Sequence, residues 1–295
     1  MAMKAFDYFK PKDISEAMAL KADKKESFFL AGGTDLFVKM KNGALTAQTV
    51  IDIGELDSLG GIHEDEREMI IGAACKVSEI EKSDHIRGKY AALAGAAHSL
   101  GSLQVRNLAT IGGNICNASP SADLLPALLV LNAKMEIIGP RGIRLVPAEE
   151  FFVGPGATIL ERGELLKSIR IPLLSREKAA TVYLKHTLKR SMDIAAVGVA
   201  ILVEDKEVVN NCRIALGAVG PTPFRVYEAE KHLLDKKLNG EVIAQAALLC
   251  KEACKPIDDV RTTAAYRKTI VEVLAKRGLE KIAGEQGGRL DGASH

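Results

Sequence analysis

The sequence predicts an α+β protein built from two domains. The chain has 295 residues, about twice the length of an average domain. Up to about residue 175, short apolar runs alternate with glycine-rich turns and helical stretches, whereas beyond it strand-like runs come first and helical patterns follow. Apolar residues make up 47% of the chain and charged residues 26%, which is typical of a globular protein.

The first domain, residues 1–175, is predicted to mix strands with helices. Short apolar runs bounded by turn-forming residues predict strands, and stretches with helical periodicity predict helices. The predicted strands cover residues 28–31, 49–53 and 68–72, and the predicted helices cover residues 90–100 and 122–131.

The second domain, residues 176–283, is predicted to be a smaller α+β unit. The predicted strands cover residues 181–185, 194–204 and 208–219, and the predicted helices cover residues 227–236, 241–254 and 263–279. Strands in succession followed by helices in succession indicate an antiparallel sheet with helices on one face. The tail, residues 284–295, contains four glycines and no apolar periodicity, so we expect it to be disordered.

Charge and aromatic content argue against a nucleic-acid partner. The chain has 40 Lys and Arg against 38 Asp and Glu, a formal charge of +2, and no dense basic run. Tryptophan is absent and aromatic residues make up 4%, so a stacking platform for bases is not expected.

The sequence predicts a cytoplasmic protein without a membrane span. The N-terminal residues carry charges in every turn, unlike a secretory signal. The longest apolar run, residues 124–131, is interrupted by Pro126 and is less than half the length of a membrane span.

The five cysteines have no CxxC spacing and are scattered along the chain, at Cys75, Cys116, Cys212, Cys250 and Cys254. This pattern predicts neither a disulfide framework nor a zinc or iron–sulfur site. Cys250 and Cys254 lie four residues apart on a predicted helix, where we expect small buried side chains rather than metal ligands.

A pair of glycines follows the first predicted strand in the segment FFLAGGTDLFVKMKNG, residues 28–43. Thr34 and Asp35 stand where a helix N-cap is expected, and Asn42-Gly43 marks the helix end. Backbone amides gathered between a strand and a helix start form an anion site. A single glycine pair is more often a plain connecting turn than an anion site.

A second glycine pair, Gly112-Gly113, lies in the segment QVRNLATIGGNICNASPSAD, residues 104–123. Its lack of periodicity predicts a long polar loop, and such loops are usually functional. With backbone donors in both, the two loops are suited to hold the two phosphates of a pyrophosphate from opposite sides. Asp123 begins the next helix, either as a dipole partner or as an acceptor for ligand hydroxyls.

Common catalytic and nucleotide-binding motifs are missing from the sequence. It contains no strand-linked GxGxxG, GxxxxGK[ST], GxSxG or HExxH, and its six histidines are scattered. Because no nucleophile stands with a base, any chemistry must come from a cofactor.

The two glycine loops resemble those of the FAD-binding subunit of the molybdenum hydroxylases, the family that includes xanthine dehydrogenase and the medium subunit of aerobic carbon monoxide dehydrogenase. AGGTDL at 31–36 and TIGGNICNASPSADLLPAL at 110–128 carry the resemblance, and residues 144–172, 189–201 and 258–274 match further family segments in order. The resemblance implies a two-part FAD-binding domain of the vanillyl-alcohol-oxidase-like (PCMH) type and a C-terminal α+β domain.

The resemblance also implies a site that binds FAD non-covalently and contains no catalytic side chain or metal ligand. The first loop would contribute Ala31, Gly32, Gly33, Thr34, Asp35 and Leu36, and the second Thr110, Ile111, Gly112, Gly113 and Asn114. Asp123 would accept a hydrogen bond from a ribityl or ribose hydroxyl. The isoalloxazine ring would have Leu165 and Leu166 beside it and Lys185 as a nearby positive charge. Further contact positions are Val105, Ala109, Cys116 and Asn117.

The resemblance implies a separate electron-transfer subunit of a larger enzyme. A small [2Fe-2S] subunit would supply electrons, a large molybdopterin subunit would oxidise the substrate, and NAD, a quinone or oxygen would accept the electrons. The assembly would be a heteromer such as a dimer of heterotrimers. No His or Cys adjoins either glycine pair as covalent flavin attachment would require.

Two alternatives remain at this stage. The first is a self-sufficient FAD-dependent oxidoreductase with its own substrate pocket, which the lack of a catalytic base or stacking aromatics near the loops disfavours. The second is a flavin-free assembly scaffold, which the intact glycine and aspartate positions of both loops disfavour.

Overall fold

The computed structural model describes residues 3–174, 179–189 and 193–284. Within these ranges the chain forms sheets of three, five and four strands and a two-stranded hairpin. The predicted junction near residue 175 and residues 285–295 of the predicted tail lie outside the described residues.

The first sheet is parallel and small, and its central strand is the last of the three in sequence. Its elements are β1 (Asp7–Phe9), α1 (Ile14–Asp23), β2 (Ser27–Leu30), α2 (Leu36–Lys41) and β3 (Thr49–Asp52). Parallel neighbours need a crossover connection, so a helix lies in each link between strands. The carboxyl ends of β2 and β3 open at one edge, where the first glycine pair begins.

The second sheet is antiparallel and has the strand order β4-β5-β10-β6-β7. Its strands are β4 (Ile62–Glu64), β5 (Glu68–Gly72), β6 (Lys134–Gly139), β7 (Gly142–Pro147) and β10 (Leu165–Pro172), and β8 (Phe152–Gly154) with β9 (Ala157–Thr158) forms the hairpin. Its helices are α3 (Val77–Lys82), α4 (Asp84–Lys89), α5 (Ala91–Ser99), α6 (Leu103–Arg106), α7 (Ile111–Cys116), α8 (Leu124–Val130) and α9 (Ala148–Phe151). Every residue of α8 is buried, so this helix is the centre of the largest core.

The third sheet is antiparallel, with the order β11-β12-β13-β14. Its elements are β11 (Ala179–His186), β12 (Val197–Glu204), β13 (Asn211–Gly217), β14 (Phe224–Arg225), α10 (Tyr227–Leu233), α11 (Gly240–Ala253) and α12 (Ala264–Ala283). These three helices pack on one face, as predicted, but α5 and α8 of the preceding part cover the other face. Burial on both faces explains why β12 reads VGVAILV, without alternation.

The predicted fold class is confirmed, and one predicted segment is wrong. Residues 104–123 are not a long loop, because they contain most of α6 and all of α7. Helices of four and six residues are too short to show a periodic pattern in the sequence. The second glycine pair is therefore helical.

A buried carboxylate ties the centre of the second sheet together. Glu136 of β6 is 2% exposed and accepts hydrogen bonds from Lys167 at 2.8 Å, Ser168 at 3.0 Å and Arg170 at 2.5 Å, all on β10. Burial opposes the charge, but these donors outweigh it and lower the pKa of Glu136 to about 2.

We expect Glu136→Gln to lower the free energy of unfolding at neutral pH by about 3 kcal/mol, because the donors lose their anionic acceptor. Since the folded-state pKa lies below the usual 4.5, this stabilisation is complete above 4.5 and disappears as the pH falls towards about 2. Urea unfolding measured at a series of pH values checks this. A difference in unfolding free energy between wild type and variant that stays constant throughout the acid range would contradict it.

Candidate functional site

A cavity of about 670 Å³ opens where the three sheets and their helices meet. Its walls come from residues 28–39 of the first part, from residues 73–74 and 100–123 of the second, and from the segment that precedes β10. Asp193 and Ile194, just before β12, complete it. The site is thus shared by distant parts of the chain.

Free backbone donors line one wall of this cavity. Gly33 has a φ of +71°, a left-handed conformation that favours glycine, and it turns the chain from β2 into α2. In the part of the chain that the structure describes, the amides of residues 32–36 donate no hydrogen bond. Asp35 stands at the N-cap of α2 but its carboxylate makes no capping bond, contrary to expectation. A row of unpaired amides at a helix start is suited to an anion.

The second glycine pair has a different role from the one predicted. Gly112 donates its amide to the Ala73 carbonyl at 2.8 Å, and Gly113 donates to the Thr110 hydroxyl, the N-cap of α7, at 3.0 Å. These amides are therefore already paired and are not free for phosphate. A Cβ added at Gly112 would lie 2.6 Å from the Ala73 oxygen, so this glycine permits close packing.

The two glycine segments touch each other directly. A Cβ added at Gly32 would lie 2.1 Å from the Leu108 carbonyl oxygen and 2.9 Å from Cα of Ala109. No side chain fits between two main chains at that separation. Gly32 therefore lets the first amide row lie against the segment that leads into α7.

An orphaned acceptor lies beside this contact. Asn114 Oδ1 is buried and has no hydrogen-bond partner among the described residues, and Asn114 lines the cavity. A buried polar atom without a partner costs stability unless a ligand or water satisfies it. This atom fits a bound molecule that carries a hydrogen-bond donor.

The opposite wall holds a buried ionic cluster. Asp123 accepts hydrogen bonds from Tyr183 Oη at 2.9 Å and from Lys185 Nζ at 2.9 Å, and Lys185 also donates to the Ser99 carbonyl at 3.0 Å. Burial raises the pKa of Asp123, while Lys185 and Tyr183 oppose that rise. Asp123 makes no capping bond to α8, so its two oxygens serve the cluster and the cavity.

The structure brings most of the predicted site residues together around the cavity. Those that line it are Ala31, Gly32, Gly33, Thr34, Asp35, Leu36, Val105, Ala109, Thr110, Gly112, Gly113, Asn114, Cys116, Asn117, Asp123, Leu165 and Leu166. Ile111 is fully buried in the core. Lys185 lies behind Asp123 rather than in the lining.

Other lining residues were not predicted. Lys39 of α2 donates to Asn117 Oδ1 at 2.6 Å and so links the first part of the chain to the second across the cavity. Its position one turn after Asp35 was the available sequence signal. Phe28 and Phe29 of β2 also line the cavity.

A buried arginine holds the main chain next to the cavity residues Asp193 and Ile194. Arg267 of α12 is 3% exposed and donates to the carbonyls of Ala196 at 3.1 Å and Ala218 at 3.0 Å. Ala196 lies two residues after Ile194 of the cavity wall. The helices of the third sheet thereby help to shape the cavity.

The described ranges offer no evident metal site, since no three His, Cys, Asp or Glu side chains converge in them. Nor does any helix in these ranges combine the length and apolarity that crossing a membrane requires.

The fold and the amide-lined cavity are typical of a protein that binds an anionic cofactor. A family model described as "FAD binding domain in molybdopterin dehydrogenase" matches residues 4–174, and one described as "CO dehydrogenase flavoprotein C-terminal domain" matches residues 182–282. The chain therefore belongs to the family of FAD-binding medium subunits of molybdenum hydroxylases, and it is the flavoprotein component of an oxidoreductase.

Similar proteins span the whole chain. The glyceraldehyde dehydrogenase medium chain of Sulfolobus acidocaldarius is 32% identical and covers 94% of this chain and 98% of its own length. The xanthine dehydrogenase FAD-binding subunit of Escherichia coli O157:H7 is 30% identical, and the match covers 96% of this chain and 98% of that subunit. A chain of the solved carbon monoxide dehydrogenase from Hydrogenophaga pseudoflava matches with a TM-score of 0.91 at 33% identity, covering 95% and 98%.

The cavity fits FAD. A pyrophosphate requires donors, and the unpaired amides of residues 32–36 supply them. Flavin, ribityl and adenosine groups carry hydroxyl and N–H donors, and the orphaned Asn114 Oδ1 and the Asp123 carboxylate are acceptors in the same cavity.

We expect Gly32→Ala to remove most of the bound FAD, because the added Cβ forces the amide row away from Leu108. The flavin-to-protein absorbance ratio of the purified chain and the FAD dissociation constant measure this loss. The matched control is Gly240→Ala, where an added Cβ meets no atom within 4 Å and which does not line the cavity between the glycine segments. Equal FAD content in both variants would contradict the role given to Gly32.

Proposed function

We propose that this chain relays electrons inside a three-component molybdenum hydroxylase. It would take them from the [2Fe-2S] clusters of a small subunit and pass them to NAD, a quinone or oxygen. A large molybdopterin subunit would oxidise the substrate, in a heteromer such as a dimer of heterotrimers. The observation that carries this proposal is a cavity suited to FAD in a chain whose family consists of flavoprotein subunits.

The proposed division of labour within the site follows from charge and polarity. Residues 32–36 would bind the pyrophosphate through their amides, and Lys39 would add a positive charge at the same edge. Asn114 and Asp123 would accept hydrogen bonds from the cofactor's donors. Hydrogen bonds of this kind bind FAD without a covalent link.

The apolar end of the cavity would receive the isoalloxazine ring. Leu165 and Leu166 begin β10, line the cavity and are 5% and 1% exposed. Such a wall excludes water from a ring that it contacts. Lys185 is paired with Asp123, so its positive charge would affect the electron density of the ring through that carboxylate rather than by direct contact.

Bound FAD supplies the redox chemistry, because it accepts electrons singly and releases them in pairs. The chain's own residues bind and orient it and keep water out. The described cavity wall contains four carboxylates. Glu164 is engaged by Arg144 at 2.7 Å, Asp123 by Lys185 at 2.9 Å, and Asp193 by backbone amides. Asp35 makes no capping bond. Three of the four are thus already paired, which supports an electron relay over a self-sufficient oxidoreductase.

We also propose that the complex works in the cytoplasm. All five cysteines are free thiols, as proteins of a reducing compartment have them.

Anaerobic mixing of the FAD-loaded chain with a reduced small [2Fe-2S] subunit tests the relay. We expect the flavin absorbance to bleach when the iron–sulfur partner is present, and to stay unchanged when substrate is added without partners. Bleaching by an organic substrate alone would favour the self-sufficient oxidoreductase. Failure of the purified chain to take up FAD would favour the flavin-free scaffold.

A further inference from the structure

One polar group beside the cavity has no role in the proposed function. Tyr183 of β11 is 9% exposed, and its hydroxyl donates to Asp123 Oδ1 at 2.9 Å. Without this bond the buried O–H of Tyr183 would have no hydrogen-bond partner, which costs stability. The bond therefore joins the third sheet to the start of α8.

A glycine on the neighbouring strand makes room for this phenol. Tyr183 pairs with Ala200 of β12 and lies diagonally across from Gly198, which pairs with Lys185. A Cβ added at Gly198 would lie 2.9 Å from the Tyr183 hydroxyl oxygen. Gly95 of α5 lies near the other end of the side chain, where an added Cβ would be 3.8 Å from Tyr183 Cβ, an ordinary contact distance. The close approach at Gly198 therefore limits where the hydroxyl can lie, and it lies against Asp123.

The alternation of β11 places two donors on one face. Tyr183 and Lys185 are two residues apart, so both side chains point to the same side of the sheet. Each reaches a different oxygen of Asp123. A carboxylate has about four acceptor sites, so each oxygen keeps one for a ligand in the cavity.

We propose that Tyr183 is a positioning residue for cofactor binding: it fixes the Asp123 carboxylate so that the remaining acceptor sites of Asp123 face a hydroxyl of FAD. This inference rests on the proposed contact between Asp123 and FAD. Through this bond the C-terminal domain sets the affinity of a site built mostly by the first domain.

The ionisable groups around Asp123 determine the pH at which it becomes protonated. Tyr183 and Lys185 face it from β11, and α5 contributes the Ser99 carbonyl that Lys185 also contacts. The other ionisable side chains on the described cavity wall are Asp35, Lys39, Cys116, Glu164 and Asp193. Burial raises the pKa of Asp123, and removing a donor to its ionised form raises it further.

The test compares FAD affinity in Tyr183→Phe and wild type across the pH range in which both stay folded. We expect Tyr183→Phe to raise the dissociation constant about tenfold at neutral pH, the size of one hydrogen bond to a charged group. The loss of affinity in acid should begin at a higher pH than in wild type, because only the ionised carboxylate accepts two bonds on each oxygen.

Two further variants separate positioning from simple packing. Gly198→Ala keeps the hydroxyl but displaces it, so it should shift affinity and the acid limb in the same direction as Tyr183→Phe. It carries the test if Tyr183→Phe fails to fold. Tyr227→Phe is the control, because the exposed Tyr227 hydroxyl also donates to a carboxylate, Glu149 of α9. This variant should bind FAD as tightly as the wild type.

Unchanged affinity and an unchanged pH profile in both Tyr183→Phe and Gly198→Ala would overturn the proposal. So would a loss of affinity that is equal at every pH and follows the loss of thermal stability, which is the behaviour of a packing residue. An Asp123→Asn variant that binds FAD as tightly as the wild type would instead overturn the underlying contact between Asp123 and FAD.

Discussion

The close approach of two main chains at Gly32 and Leu108 is the constraint on which the site depends. The turn between β2 and α2 meets the segment between α6 and α7 there, and only a glycine lets the two main chains touch. Because the turn after β2 lies against the segment before α7, its amides face a shared cavity instead of open solvent. Gly33, with its positive φ, then directs the chain into α2 and leaves the row of amides unpaired.

The C-terminal domain completes this arrangement rather than standing apart from it. Its sheet is covered on one face by its own helices and on the other by α5 and α8, so the two domains share a core. The same contact delivers Tyr183 and Lys185 to Asp123. Such a rigid frame suits the electron relay proposed above, because packing fixes the surroundings of the cavity.

Apolar periodicity predicted the fold class and the positions of the longer elements, because it is a local signal. Half of the residues of the cavity wall were also predicted, and apart from the two glycine pairs and Asp123 these follow from the family resemblance. Prediction failed where the signal is not local. The pairing of the Gly112 and Gly113 amides depends on Ala73 and Thr110 in three dimensions. The place of Lys185 behind Asp123 depends on sheet packing, and α6 and α7 are too short for periodicity. None of these three features could be predicted from residue spacing.

The geometry of the site places FAD in the cavity between the glycine segments, with its pyrophosphate on the unpaired amides of residues 32–36. A crystal structure of the FAD-loaded chain is the decisive measurement. We expect phosphate oxygens within hydrogen-bond distance of those amides and a ribityl or ribose hydroxyl of FAD on Asp123. Electron density for FAD elsewhere on the chain, or a pyrophosphate bound to the second glycine pair alone, would contradict it.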